Sequence, residues 1–541
     1  MKISKLLVLF STLSLLFTSC DNSNVESSSN DVSTDGSSVN SEVLSSSIEE
    51  SISYIENPFV EVPLTDGYME MRKHIYEKND IIRVYPHNCK AKDWVGIYAK
   101  ENEPGYGTSI IWDYVGNKEC VEFKVSSLKN IGEYSVFLCA NDGYMVLDKD
   151  EIKVINDTTD YCINDATYQI ENSNGVNQAS ITVYPSSTKE LTYSFYWSYE
   201  GERLENYTPL KVVTVKDKES FTVTLNESIF MPSEATGIDV YVSEGLSTSY
   251  FIEMDDTLKL KKSNYLYNFQ VLSDLHIEEG AANHQSHLLT ALKEILQYAG
   301  NSEAVFTVGD NTNRGKDTDY ILLQNTIGQI FKEDITHPQI YFSMGNHEYM
   351  YASTYEQAIA SFKEYTGMPN IYYSVDIKGS KFIVLGSNVK TLEGKIDTQQ
   401  LEWLKNELSS VDKNKPTFIF VHQPLKDTVS GSIGSQGWDG MRGEASTIKE
   451  LLKDYPNAVV FSGHTHWTLD SYQPALYGKK QNASYVNAAS VGYLWNDADA
   501  REPGSEGLFI EVYEDYILVK GREFVDRKWV SAAQFVFELA K

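Results

Sequence analysis

From about residue 57 to residue 157, apolar and polar residues alternate in short runs separated by Gly, Asn and Asp; Val121-Glu122-Phe123-Lys124-Val125 and Tyr134-Ser135-Val136-Phe137-Leu138 are two of them. A period of two sends successive side chains to opposite faces of a strand, so residues 56–157 are predicted to form an all-β sandwich. The texture repeats over 158–262 in runs such as Ile181-Thr182-Val183-Tyr184, which predicts a second sandwich. Within it Tyr193, Phe195 and Trp197 share one strand face while Ser194 and Tyr196 share the other, and the three-ring face is expected to be core. Over 263–541 the period lengthens. Leu288, Leu289, Leu292, Ile295 and Leu296 mark a helical stripe ended by Gly300. Leu401, Leu404 and Leu408 mark another, which Asp397 and Gln400 open as a capping-box-like start. Helices alternating with apolar strand runs predict an α/β layered domain.

Gly132-Glu133-Tyr134, just ahead of an apolar run, resembles the tyrosine-corner region of immunoglobulin-like domains, and the second sandwich is expected to be at most fibronectin-like. Residues 1–19 carry Lys2 and Lys5, then an apolar run too short to span a bilayer, which is the layout of a secretory signal peptide. Thr18-Ser19-Cys20 resembles the lipobox of bacterial lipoproteins, although Phe17 stands where that family usually has leucine. The resemblance implies export, a lipid on Cys20 and anchorage at the outer face of the cell membrane. Residues 21–55 hold 13 serines in 35 positions, so segment 20–55 is expected to be a disordered tether. Cys89, Cys120, Cys139 and Cys162 allow three disulfide pairings, or free thiols within a β-sandwich.

Composition narrows the function classes. A chain of 541 residues has room for roughly three or four domains, and 41% hydrophobic residues exclude wholesale disorder. With 46 basic against 76 acidic residues the net charge is -30, a field that repels phosphate backbones and argues against generic nucleic-acid binding. Only ten histidines are present, and five fall in short motifs.

Those motifs follow five apolar runs. Residues 269–273 lead to Asp274-Leu275-His276, 304–308 to Gly309-Asp310, and 339–344 to Gly345-Asn346-His347-Glu348. Residues 417–421 lead to His422, and 458–462 to Gly463-His464-Thr465-His466. In open α/β architectures the carboxyl ends of strands line the ligand crevice, so these ends are expected to converge. Asp274 and His276 are two apart, as are His464 and His466, and in an extended segment each pair would share a side. Glycines beside Asp310, Asn346 and His464 allow close backbone approach. Asp274, His276, Asp310, Asn346, His422, His464 and His466 are too many donors for one ion, and a carboxylate shared between two ions resolves the count. Oxygen and imidazole donors without thiolate suit Mn, Fe, Zn or Co. Two such ions roughly 3.5 to 4 Å apart can hold a bridging hydroxide and polarise a phosphoryl oxygen.

D-x-H, GD-x4-G, GNHE, a strand-final His and GHxH, in that order, resemble the calcineurin-like metallophosphoesterase superfamily over about residues 265–525. The resemblance implies a β-sandwich core flanked by helices. It also implies one ion on Asp274, His276, Asp310 and His466, and another on Asp310, Asn346, His422 and His464, with Asp310 bridging. His347 matches the histidine that contacts phosphate and assists the leaving oxygen, and Arg314 sits where the phosphoprotein-phosphatase branch has a phosphate-clamping arginine. Two departures matter. Asn313 replaces the aspartate that partners the catalytic histidine in that branch. Asn313 and His276 also depart from purple acid phosphatases, which have a tyrosine ligand three residues after the GD aspartate and no histidine in the first motif. Glu348 is the family's usual companion to His347, while His284, His287 and His337 lie outside the motifs and are given no metal role.

The reading that follows is an extracytoplasmic, metal-dependent hydrolase of phosphoric esters, a phosphomonoesterase or phosphodiesterase with a dinuclear centre. Its texture is similar to exported bacterial phosphoesterases related to the cyclic-nucleotide phosphodiesterase branch. Substrates would be phosphorylated small molecules, nucleotides, or lipid or wall phosphoesters. The glycine-rich segment 430–445, around Trp438 and Arg442, is expected to form a flexible rim or lid, and 485–494 the opposite wall. The alternative from another class is a surface adhesion or carbohydrate-binding array carrying an inactive phosphoesterase-like domain. In either case the sandwiches could contact polysaccharide or wall.

Overall fold

The computed structural model describes residues 67–541 apart from 72–73, 156–162, 174–175, 186–189, 217–218, 243–249, 262, 435 and 437–439. The expected signal peptide, Cys20, the serine-rich tether, Cys162 and Trp438 lie outside the described residues.

In the first β-region the alternating residues sort as a pleated strand requires. Ile82, Val84, Val121 and Phe123 come from a three-stranded sheet of Tyr68–Glu70, Ile81–His87 and Val121–Lys124. They share one core with Val95, Ile97, Val136, Leu138, Ile152 and Val154 of a five-stranded sheet. The Tyr134 hydroxyl donates to the Asn130 carbonyl at 2.7 Å. Cys89 and Cys139 are free thiols, and the Cys120 sulfur lies 3.8 Å from the Val121 carbonyl. Every pairing of the four cysteines would use Cys89, so none of the three forms.

The second β-region places Tyr193, Phe195 and Trp197 of strand Leu191–Tyr199 in its core, as the alternation predicts. Tyr196, on the other face, meets Tyr241 edge-on, with the Arg203 guanidinium over both rings.

Beyond these lie two six-stranded sheets. In one, Gln339–Phe342, Ala304–Thr307 and Tyr267–Leu272 run parallel and continue through the antiparallel strands Glu506–Val512, Tyr516–Glu523 and Lys528–Glu538. In the other, Ser380–Leu385, Thr417–Val421, Ala458–Ser462 and Ser484–Asn487 are parallel neighbours, with Tyr373–Ile377 and Ala475–Leu476 at the edges. Their inner faces meet through phenylalanines: Phe306 stacks on Phe382 and Phe420, and Phe269 meets Phe418 edge-on at 4.7 Å. Helix Ala282–Ala299 buries Leu288, Leu289, Leu292 and Ile295. In helix Thr398–Ser409 the Asp397 carboxylate accepts from the Gln400 amide at 2.8 Å. The Gln400 side chain, however, turns to Gly386 and Asn388 and leaves the capping box open. Among the described residues no helix is long and apolar enough to cross a membrane.

The second β-region is fastened to the last strand. Thr208 donates to the Trp529 carbonyl and Trp529 to that of Asn206, while Phe230 donates to Gln534 and Val536 to Ser228. Asn226 adds a side-chain bond to the Ala532 carbonyl. The edge of strand Lys528–Glu538 is thereby covered by chain more than 300 residues away in sequence, which removes an exposed row of unpaired backbone groups.

Candidate metal centre

Each motif begins where a parallel strand ends. Asp274 follows Tyr267–Leu272, Asp310 follows Ala304–Thr307 and Asn346 follows Gln339–Phe342 in one sheet. His422 and His464 follow Thr417–Val421 and Ala458–Ser462 in the other. Packing the sheets face to face brings these ends together: Asp274, His276, Asp310 and His466 form one buried group, and Asp310, His422 and His464 a second, with Asp310 common to both. Asn346 joins the second, its Oδ1 lying 3.0 Å from His422 Nε2.

The local backbone differs from the extended form expected of the two-apart pairs. Asp274 (φ 53°), His276 (φ 47°), Asp310 (φ 49°), His464 (φ 68°) and His466 (φ 59°) all adopt the left-handed conformation. That conformation costs L-residues energy and is held here by the surrounding bonds. Asp274 and His276 donate their amides to the carbonyls of Gly309 and Asp310, and the Trp495 amide donates to His466. Two glycines are obligatory for close approach, because a Cβ at Gly345 would collide with Asp310 Oδ1 and one at Gly463 with Asp274 Oδ2.

Hydrogen bonds on the far side of the rings fix their tautomers. His466 Nδ1 donates to the Tyr493 carbonyl at 2.9 Å, and His276 Nδ1 to Asn313 Oδ1 at 3.0 Å. Each neutral ring therefore presents an Nε2 lone pair, and the two Nε2 atoms face each other at 3.1 Å. Asp274 Oδ1, 3.0 Å from His466 Nε2, is buried without a hydrogen-bond donor. Lone pairs converging in a buried space require a cation, so the donor set fits a metal ion. Asp310 Oδ2 lies 3.2 Å from His422 Nε2 and 3.8 Å from His276 Nε2, so one oxygen faces both groups.

The crowding also appears in the proton affinities. Burial raises both aspartates, but His466 beside Asp274 and His422 and His347 beside Asp310 outweigh it and hold both below the usual carboxylate range. Burial disfavours a charged His422, yet Asp310 lifts it to about 9. Burial and the neighbouring His422 push His464 down to about 3.

His347 is about a quarter exposed; its Nδ1 donates to the Asn313 backbone carbonyl at 2.8 Å, and its Nε2 lies 3.9 Å from Asp310 Oδ2. The missing aspartate at position 313 is thus replaced by a main-chain oxygen. Arg314 is engaged by two carboxylates, Glu278 at 3.0 Å and Asp319 at 3.3 Å. His284 Nδ1 donates to the His276 carbonyl at 2.9 Å, His287 Nδ1 donates to the carbonyls of Val491 and Gly492 at 3.0 Å, and His337 stacks on Phe331.

Several further groups support the centre. Glu348 accepts from the amides of Asp310, Thr312 and Gly345, and burial followed by the Asp310 charge raises its carboxyl to about 7. Ser273 donates to Asp274 Oδ2 at 2.5 Å. Tyr493, in the expected wall, packs 4.2 Å from His466 and 5.1 Å from His276. The expectation of a flexible rim needs correction where the segment is described. Ser430, Ser432 and Met441 are buried, and the Ser430 carbonyl accepts from Thr465 inside GHTH. That contact packs the start of the segment against the loop that carries His464 and His466.

Residues 267–468 match the family model for calcineurin-like phosphoesterase. Purple acid phosphatase 21 of Arabidopsis thaliana is 32% identical over 149 residues, 25% of this chain and 31% of that protein. A probable cyclic nucleotide phosphodiesterase of Rhodococcus erythropolis is 24% identical over 205 residues, 36% of this chain and 64% of that protein. A solved purple acid phosphatase from yellow lupin (Lupinus luteus) seeds aligns with a TM-score of 0.39 at 12% identity, over 88% of this chain and 96% of that one. The chain spans about a third of the length of the first of these curated relatives. The match to the calcineurin-like phosphoesterase family thus rests on residues 267–468, the stretch that carries all five motifs.

Proposed function

We propose that the chain is a metal-dependent hydrolase of phosphoric esters working at a dinuclear centre. One ion would be held by Asp274, His276, Asp310 and His466, and the other by Asp310, Asn346, His422 and His464. The observation that carries the reading is the pair of buried donor groups sharing Asp310. Bound there, two cations of Mn, Fe, Zn or Co would supply an activated water and neutralise charge developing on phosphorus.

The protein's own groups divide the remaining work. Tyr493 O, Asn313 Oδ1 and Val308 O orient His466, His276 and His422 through Nδ1, which keeps each Nε2 aimed at the centre. His347, anchored by Nδ1 and partly exposed, would deliver a proton from Nε2 to the leaving oxygen. Arg314 can serve as a clamp only by exchanging Glu278 and Asp319 for substrate. Arg314→Ala separates the roles: a clamp costs kcat/KM, whereas an ion-pair role costs thermal stability alone.

The substrate class is a phosphorylated small molecule, a nucleotide, or a lipid or wall phosphoester. Activity of the metal-reconstituted protein on p-nitrophenyl phosphate and its bis ester tests the reading. No turnover of either, or undiminished turnover by Asp310→Asn, would overturn it. Export with a lipid on Cys20 is part of the same proposal, supported by the residue pattern at 1–20. Loss of membrane association in Cys20→Ser tests it.

A second role, contact of the N-terminal sheets with polysaccharide or wall, has one observation in its favour. Tyr106, Trp112 and Tyr144 of the first β-region are 91%, 51% and 65% exposed, and Trp112 and Tyr144 both meet Trp94 edge-on. Retention on an insoluble neutral polysaccharide, lost in Trp112→Ala, is the expected result. Equal retention of both proteins would remove this role.

A further inference from the structure

The short strand pair Leu494–Trp495 and Arg501–Glu502 stands beside the metal ligands and is tied to them, since the Trp495 amide donates to the His466 carbonyl at 2.9 Å. From it the Arg501 guanidinium lies 4.7 Å from the centre of the Tyr493 ring and 5.9 Å from that of Trp495. Tyr493 is the ring that packs on His466 and His276. Arg501 is thus held one side chain away from the cluster by two aromatic faces, contacts that orient a cation while leaving its N–H groups unused.

Its charge is not answered by an acid. Arg83, Arg203, Arg314 and Arg522 each pair with a carboxylate: Glu122, Glu205, Glu278 and Glu294 respectively. Among the described residues no carboxylate lies within the 4.0 Å of a salt bridge from Arg501, although the chain has 76 acids to 46 bases and Glu502 is its neighbour. The side chain is exposed. Tyr351, 62% exposed, stands 5.8 Å from His347, so the half-open side of the cluster carries aromatic rings and one unpaired guanidinium.

We infer that Arg501, oriented by Tyr493 and Trp495, forms a subsite that receives a second anionic group on the substrate, a phosphate or carboxylate beyond the reacting phosphoryl group. The inference rests on the phosphoesterase reading of the cluster and adds a selectivity: substrates with two anionic groups over those with one. A guanidinium offers two parallel N–H groups to such an oxyanion, and a charge-assisted contact of this kind changes affinity by about 10-fold or more.

The test is calorimetry on the metal-loaded full chain with two probes, methylenediphosphonate and inorganic phosphate. In Arg501→Gln the diphosphonate should bind about 10-fold more weakly, while phosphate binding stays within about twofold. Equal weakening of both probes, or no weakening of the diphosphonate, overturns the subsite. Failure of the underlying reading is a separate result, namely no turnover of p-nitrophenyl phosphate or its bis ester by the unsubstituted protein. Arg501 is exposed, and unchanged thermal unfolding of the variant checks that the fold is kept.

Discussion

His276 and His466 face each other with their Nε2 atoms 3.1 Å apart, each ring held from behind by an oxygen acceptor. Two lone pairs at that distance repel unless a cation lies among them. Loading with Mn(II) or Zn(II) should therefore raise the unfolding temperature by roughly 5 °C at ligand concentrations far above Kd. In His466→Ala most of that gain should vanish. Scanning calorimetry before and after chelation measures it, and an equal gain in both proteins would contradict the assignment.

Asn313 serves two histidines through different atoms. Its side-chain oxygen accepts from His276 and its main-chain carbonyl from His347. Asn313→Ala removes only the first, so metal affinity should fall about 10- to 100-fold. Turnover at saturating metal should stay within about twofold, because the contact to His347 runs through the main chain. A larger loss at saturating metal would show that the side chain also governs His347.

The Glu506 carboxyl is pushed well above its ordinary value, first by burial and then by Asp470, while accepting from the Leu469 amide at 2.8 Å. The folded state then holds a proton that the unfolded chain releases above about pH 4.3. Stability from this group is complete below that pH and declines as pH rises toward the folded-state value. Glu506→Gln keeps an acceptor and carries no charge. Its unfolding temperature should match the unsubstituted protein at pH 4 and exceed it increasingly up to pH 8. A constant difference across that range would refute the linkage.

Arg522 and Glu294 form a buried ion pair, with Nε donating to Oε2 at 2.8 Å. Arg522 also lies over the rings of Tyr298 and Trp529. Removing one charge strands the other, so Arg522→Ala should cost about 3 to 5 kcal/mol. Replacing both residues by methionine should restore most of that loss, which chemical denaturation would reveal.

Much of the centre was legible because its donors sit one or two residues past apolar runs, where strand ends are easy to read. The order of the five motifs then placed Asp274, Asp310, Asn346, His422 and His464 on adjacent strand ends. The backbone at Asp274, His276, Asp310, His464 and His466 was not legible. A left-handed φ at a non-glycine residue is imposed by tertiary hydrogen bonds and leaves no mark in spacing. The supports of the imidazoles were equally hidden, since Tyr493 and Val308 act through main-chain oxygens that any residue could supply. Segment 430–445 misled because its glycines suggest mobility, while Thr465 and Gln473, distant in sequence, pin Ser430.

The clasp between residues 206–230 and strand Lys528–Glu538 also bears on the order in which the chain matures. As synthesis proceeds from the N-terminus, the second β-region appears some 300 residues before the strand it must grip. Contacts of such sequence separation carry a loop-closure cost and form late. The region therefore spends the rest of synthesis with the groups of Asn206, Thr208, Ser228 and Phe230 open to water, and the final strand acts as the bolt that closes the whole assembly.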